Sequence, residues 1–377
     1  MVRLEVDIAI VGGGIAGASV AAFVGSGRRV AILEAEDQPG YHTTGRSAAF
    51  FSETYGGPGI QPLTTASRDF LEHPPRGVAA RPYLSPRGAL HVARAGAQVQ
   101  LEALAEAFAG SAVRLEWRDR ASVLALAPML RPEWSGAGLW EPDCQDIDVA
   151  ALHADLLRMA RATGAVLLTG ARVTGIEPGA PGWRLATPRG AVRARLLVNA
   201  AGAWADMVAQ QAGAQPLGIR PLRRTIAQVA VEPAPPAAMP LTLDAAGSWY
   251  FKPEAGRLWV SPHDEQPDVA RDVQPEELDI AITLDRLEGA TSWRIARLER
   301  AWAGLRSFAP DRLPVLGWDA RVAGFFWCAG QGGFGIQTAP AAGMLCAALL
   351  QEQPVPEALT GAGVDPARYA PSRLAPA

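Results

Sequence analysis

The chain is almost devoid of lysine. Lys252 is the only one, so the rest of the 35 basic residues are arginine. With so much Ala, Gly and Pro, this reads as base-composition bias. It excludes a P-loop, whose lysine must close a glycine-rich turn, because Lys252 stands in Phe-Lys-Pro-Glu. Cysteine is scarce as well. Cys144, Cys328 and Cys346 form no CxxC pair, which argues against a disulfide framework and for a reducing compartment, so a cytoplasmic location is expected. The five histidines (His42, His73, His91, His153, His263) make no HxH or HExxH, and no metal site is expected. No GxSxG elbow for a serine hydrolase exists. Charge of one sign is also lacking: 35 basic against 38 acidic residues leave −3, which gives no footing for nucleic acid or an anionic membrane. Nothing repeats at a fixed period, and only 354–377 has a composition open to disorder. What remains is a 377-residue chain, 49% hydrophobic and 19% charged, with material for two domains and a sizeable core.

Two long uncharged runs stand out, Ile8 to Gly27 and Val322 to Gln351. Their length would admit membrane helices. The first, however, contains Gly12-Gly13-Gly14, and the second holds Gly330, Gly332, Gly333, Gly335 and Pro340. Backbone freed by such turns would find no partner in lipid. Glu5 and Asp7 stand where a signal peptide needs positive charge. Both runs are therefore expected to be buried strand–turn–helix units, with no transmembrane segment.

The first unit has the parts of a dinucleotide site. Val6 to Val11 is a β-rich apolar run, Ile15 to Val24 a small-residue helix, and Arg29 to Leu33 a second strand ending in Glu34. Between them Gly12, Gly14 and Gly17 fit GxGxxG. Gly12 permits the tight turn, Gly14 lets a pyrophosphate approach the backbone, and Gly17 lets helix and strand pack closely. The helix N-terminus offers free N–H groups to phosphate, and Glu34 can accept from a ribose. NAD and FAD both fit this fingerprint. Near the other end, Val322 to Ala329 reads as a strand entering Gly330-Gln-Gly-Gly-Phe-Gly335, with a helix from about Ile336 to Leu350. No acid-ended strand follows, so this is no second complete nucleotide unit. A glycine-wrapped helix start still suits a flavin, whose reduced ring carries negative charge. In between, Asp148 is a natural cap for a helix from Val149 to Thr163, and Arg195 to Asn199 leads into another turn and helix at Ala200 to Trp204.

VGGGIAGAS with Glu34, GYHTTGRSAA at 40–49, VNAAGAWAD at 198–206, GLRSF at 304–308 and GQGGFGIQT at 330–338 together resemble the D-amino-acid oxidase superfamily of FAD enzymes, and within it the D-arginine dehydrogenase type. The segments Ser85-Pro86-Arg87 and Pro371 to Leu374 carry the likeness nearly end to end. It implies an α/β fold, with a discontinuous Rossmann-like FAD domain (1–79, 145–215, 305–377) and an α+β substrate domain on a mixed sheet (80–144, 216–304). It implies that Gly12, Gly14, Ala16, Gly17, Glu34 and Ala35 bind the pyrophosphate and ribose of FAD, held without a covalent bond. Thr43, Thr44, Gly45, Arg46, Ser47, Ala48, Ala49 and Phe50 would wrap the flavin, with Val173 at the adenine side. Gly332, Gly333, Phe334, Gly335, Ile336 and Gln337 would hold the isoalloxazine. Arg224, Arg306, Tyr55 and Tyr250 would bind a substrate carboxylate, and the Gly333 carbonyl would accept from the amine.

The chain also departs from that type. Ala89 stands where the D-arginine enzymes carry a carboxylate, Phe50 replaces a histidine and Ser52 a threonine. A buried guanidinium without a counter-charge is strongly disfavoured. Neutral or hydrophobic D-amino acids are thus expected, with Phe50, Phe51 and Trp249 as pocket walls. Hydride would pass from Cα to flavin N5, and the imino acid would hydrolyse to a 2-oxo acid and ammonia. Oxygen or a quinone-type carrier would take the electrons. Three other readings stay open: oxidation of a secondary amine such as sarcosine, another N-methyl amino acid or proline; a 2-hydroxy-acid dehydrogenase; and a non-catalytic flavoprotein subunit.

Overall fold

The computed structural model describes residues 4–180 and 182–374. Its first layer is an eight-stranded sheet with a parallel centre. Leu4–Val11 lies between Val30–Leu33 and Gly190–Asn199, parallel to both, and Val166–Leu168 continues beyond Val30–Leu33. Phe325–Ala329 joins the end of Gly190–Asn199, also parallel, and is followed by antiparallel Val315–Trp318. Parallel strands need both faces covered, which explains why Val30–Leu33 and Phe325–Ala329 are buried throughout. The small-residue helix Ile15–Val24 packs between Val149–Ala162 and Ala339–Leu350 on one face. Both uncharged runs are thus buried strand–turn–helix segments of this layer, and no helix among the described residues is long and apolar enough to cross a membrane.

The second layer is a ten-stranded mixed sheet built from 89–141 and 220–308, with Gln331–Gly332 added at one edge. Its spine is the long antiparallel pair Arg220–Glu232 and Arg294–Phe308, which places Leu222 opposite Arg306 and Arg224 opposite Gly304. Side chains alternate along strands, so Arg224 and Arg306 share one face. A small sheet of Phe50–Phe51, Gln145–Ile147 and Leu84–Pro86 lies apart from both. The fold is α/β with mixed sheets.

Local signals set most element ends. Asp148 caps Val149–Ala162 by accepting from the Ala151 N–H at 2.9 Å. The last long helix begins at Ala339, not Ile336, because Gly333–Thr338 forms turns around the glycines. The strand before it begins at Phe325 instead of Val322.

Candidate functional site

The glycine turn is tight enough to be read from single atoms. Gly12 has φ +107°, and a Cβ there would stand 2.4 Å from the Ala200 carbonyl oxygen. A Cβ on Gly17 would stand 2.0 Å from the Gly12 carbonyl oxygen. No side chain caps Ile15–Val24 at Gly14; the Thr44 hydroxyl accepts from the Ile15 N–H at 3.0 Å. Glu34 is buried at the end of its strand. One carboxylate oxygen accepts from the Gly13 N–H (2.8 Å) and the other from the Glu36 N–H (2.9 Å). Each oxygen keeps a lone pair for a ligand hydroxyl.

In front of this turn lies a cleft of about 470 Å³, within the range of small-molecule and cofactor sites. Gly12, Gly14, Ala16, Glu34, Ala35, Thr43, Thr44, Ser47 and Val173 line it, as do Gly332, Gly333, Gly335 and Ile336. Gly17 does not; it lies beneath, where helix meets strand. Nor do Gly45 and Arg46 line it. Arg46 instead donates to the Val273 carbonyl and pairs with Asp272. Phe334 faces Tyr55 and Phe308. A tight glycine cradle at the start of Ile15–Val24, beside a fixed carboxylate, fits a bound dinucleotide.

At one end the cleft meets a narrow chamber of about 20 Å³. Its lining is Ser47 to Phe50, Tyr55, Arg224, Tyr250, Arg306, Gly333, Ile336 and Gln337. Ala48, Ala49, Phe50 and Gln337 thus face the chamber instead of the cleft. Phe50 lies 5.2 Å from the Tyr55 ring and 5.9 Å from the Tyr250 ring, centroid to centroid. A Cβ on Gly333 would stand 2.1 Å from the Tyr55 hydroxyl, so the Gly333 backbone and this phenol crowd one spot.

The two chamber arginines differ in what holds them. Arg224 donates through Nε to the Asp264 carbonyl at 2.6 Å and through Nη2 to Glu265 at 3.2 Å. Arg306 has no carboxylate partner among the described residues, and its buried Nη1 has no hydrogen-bond acceptor at all. Gly304, opposite Arg224, leaves its room: a Cβ there would press on that same Nη1 at 3.0 Å. Burial holds the Arg306 guanidinium below the usual arginine range, and Arg224 reinforces the effect. A buried unpaired cation is costly enough that a site keeping one is built to receive an anion.

His263 does not line the chamber but lies beside the Tyr250 ring, 5.7 Å between centroids. Burial, reinforced by Arg224, holds its imidazole down to about 3. Between the ordinary value near 6.5 and about 3 the unfolded chain takes up a proton that the folded one refuses. His263 therefore contributes stability above pH 6.5 that is lost as pH falls through this window. His263→Asn is expected to flatten the fall of Tm between pH 6.5 and 4, measured against the parent protein.

Two expected walls are elsewhere. Phe51 is fully buried in the core behind Phe50, under the Arg68 guanidinium. Trp249 stacks on Phe251 within the second sheet's core. Adjacent strand residues face opposite ways, so Phe50 takes the chamber and Phe51 beside it cannot. Ala89 is buried in an apolar cluster with Ala48, Leu241 and Tyr250.

Other supports escaped the sequence. His153, on Val149–Ala162, hydrogen-bonds through Nε2 to the Gly13 carbonyl at 2.8 Å, and so steadies the glycine turn. Glu141 accepts from the Ser52 hydroxyl (2.9 Å), the Glu53 N–H (2.8 Å) and the Thr54 hydroxyl (2.7 Å), pinning the segment between Phe50 and Tyr55. A lone histidine or glutamate in a long chain gives no local sign of such a contact.

Comparison with known proteins agrees with this architecture. The DAO family, described as FAD dependent oxidoreductase, matches residues 7–349. Glycine oxidase of Geobacillus kaustophilus is 25% identical over 92% of this chain and 93% of its own. Dimethylglycine dehydrogenase of Mus musculus is 31% identical over 56% of this chain and 26% of its own. Hydrogen cyanide synthase subunit HcnC of Pseudomonas aeruginosa is 28% identical over 65% of this chain, which spans 58% of that relative. Among solved structures, glycine oxidase of Geobacillus kaustophilus superposes with TM-score 0.84 at 23% identity, covering 98% of this chain and 99% of that one. L-proline dehydrogenase of P. horikoshii superposes with TM-score 0.84 at 19% identity, covering 99% and 98%. The chain belongs to the DAO family of FAD-dependent oxidoreductases, and its cofactor is FAD.

Proposed function

We propose that the protein oxidises a small carboxylate-bearing amine at the carbon next to nitrogen, with N-substituted glycines and proline-type cyclic amines as the favoured class. The single observation that carries this is the unpaired, buried Arg306 in a narrow chamber that opens on the cofactor cleft. Relatives named for glycine and dimethylglycine support it, beside a solved structure of the same fold named for L-proline, and none of those reported is named for D-arginine. The second reading, neutral D-amino acids, keeps the same carboxylate contacts. Ala89 in its apolar cluster supports neutral side chains over cationic ones in either case.

In this reading Arg306 takes the substrate carboxylate as a two-point fork and Arg224 takes its other edge. Tyr55 and Tyr250 donate to the remaining lone pairs, and Tyr250 stays protonated because burial pushes its phenol up. The Gly333 carbonyl accepts from the amine and so turns the C–H bond toward the cleft. Residues of the glycine turn, Glu34 and Ala35 hold the dinucleotide part of FAD, with Thr43, Thr44, Ser47 and the Gly332–Ile336 stretch around the flavin. What FAD supplies when bound is acceptance of a hydride. The amine must arrive unprotonated, so that its lone pair can form the C=N bond as the C–H pair departs. Phe50 and its aromatic neighbours exclude water from that carbon. In this view 1–79, 145–215 and 305–377, which contain the 40–50 and 330–337 segments, form one FAD-binding domain, and 80–144 with 216–304 is the substrate domain.

Product analysis after turnover tests the choice of substrate class. Secondary amines release an aldehyde, a primary amine or a cyclic imine, whereas neutral D-amino acids release ammonia and a 2-oxo acid. Ammonia from D-alanine at a higher kcat/KM than any turnover of sarcosine or proline would move the assignment to the second reading. Gly333→Ala is expected to lower kcat/KM about ten- to a hundredfold, because its Cβ would drive the Tyr55 hydroxyl off its place. FAD content, by absorbance, should stay near that of the parent.

A further inference from the structure

Glu265 lies just behind the chamber and serves two arginines at once. It accepts from Arg224 Nη2 at 3.2 Å, and from Arg312 at 3.0 and 2.7 Å as a two-point pair. Arg312 in turn lies over the Phe308 ring, 3.9 Å from its centroid, and its backbone takes φ +66°, a region that L side chains rarely adopt. The neighbouring Asp264 is committed elsewhere. Its carboxylate accepts from the Thr225 N–H and hydroxyl at 2.8 and 2.9 Å and comes no nearer than 3.9 Å to Arg224. Glu265 is therefore the carboxylate that hydrogen-bonds to Arg224, with Asp264 a more distant counter-charge, while no carboxylate among the described residues pairs with Arg306. Around the chamber Arg224, Arg306 and Arg312 stand against Asp264 and Glu265, which leaves one positive charge for one monocarboxylate.

We propose that Glu265 is a specificity-determining counter-carboxylate: it occupies the outer edge of Arg224 and so reserves the chamber for ligands with one carboxylate, bound chiefly by Arg306. This rests on the carboxylate reading of the chamber. Glu265 acts through Arg224 and touches no substrate. Arg312 shares its charge and keeps it from closing fully on Arg224.

The test is titration of the FAD-loaded protein with acetate and with malonate at fixed ionic strength, followed by flavin absorbance and by calorimetry. Glu265→Gln keeps the shape and removes the charge. It is expected to tighten acetate about 3- to 10-fold and malonate by roughly a further factor of ten, since the second carboxylate no longer meets a like charge behind Arg224. Arg312→Gln leaves Glu265 to Arg224 alone and should weaken both ligands. If Glu265 merely braces Arg224, Glu265→Gln weakens acetate, and that result overturns the proposal; so does an unchanged malonate-to-acetate ratio alongside normal binding to the parent. If the parent binds neither anion, and Arg306→Met leaves KM for the amine substrate unchanged, the carboxylate reading itself has failed and the proposal with it.

Discussion

Arg306→Met is expected to raise KM for the proposed carboxylate-bearing amine by on the order of 10²–10³-fold while FAD stays bound. The side chain lies at the junction of chamber and cleft, and its loss removes the chamber guanidinium that no carboxylate among the described residues holds. The same change should raise Tm of the substrate-free protein by about 2–8 °C, because a buried unpaired cation gives way to an apolar chain of similar length. Opposite movements of affinity and stability mark a group kept for binding at the fold's expense. Arg306→Lys should fall between, since an ammonium offers a point charge and no fork. Steady-state kinetics, flavin absorbance and a thermal melt on one preparation decide the matter. Loss of FAD, or a fall in Tm with KM unchanged, would make Arg306 a structural residue.

Gly17→Ala is expected to weaken FAD binding by roughly 100-fold and to lower stability together with it. Its added Cβ would meet the Gly12 carbonyl oxygen at 2.0 Å and Ile10 Cγ2 at 3.2 Å. The first of these is backbone and cannot swing aside, so the helix Ile15–Val24 must lift from Leu4–Val11, and the phosphate cradle opens with it. Gly14→Ala makes the informative contrast. Its nearest neighbour is the Thr44 hydroxyl at 3.2 Å, and its φ of −71° suits any residue. That variant should fold with near-parental Tm yet bind FAD more weakly, because its methyl points into the space a pyrophosphate needs. Fluorescence titration of the apoprotein with FAD, beside thermal melts, separates the two effects.

The glycine turn was legible because its logic is local. Strand, turn, helix and terminal acid follow one another within 4–34, and each residue's task depends on neighbours a few positions away. The Asp148 cap was legible for the same reason. The chamber was not legible from spacing. Arg224 and Arg306 meet because two strands some eighty positions apart pair with Leu222 opposite Arg306, and no period in the sequence announces that register. Resemblance to a family named these arginines, but it could not say which of them is unpaired. Gly304, read only as part of a motif, proves to be the space beside Arg306 Nη1. Phe51 and Trp249, expected as pocket walls, instead pack into the two cores, and strand alternation explains this for Phe51 beside Phe50.

The most direct measurement is anaerobic reduction of the bound flavin by sarcosine and by dimethylamine, its analogue without the carboxylate. The two share a secondary amine and differ in the one group Arg306 is held ready to receive. The account predicts reduction by sarcosine, saturating with concentration, and none by dimethylamine over the same range. Equal reduction by dimethylamine, or no reduction by sarcosine, glycine, proline or D-alanine, would contradict it.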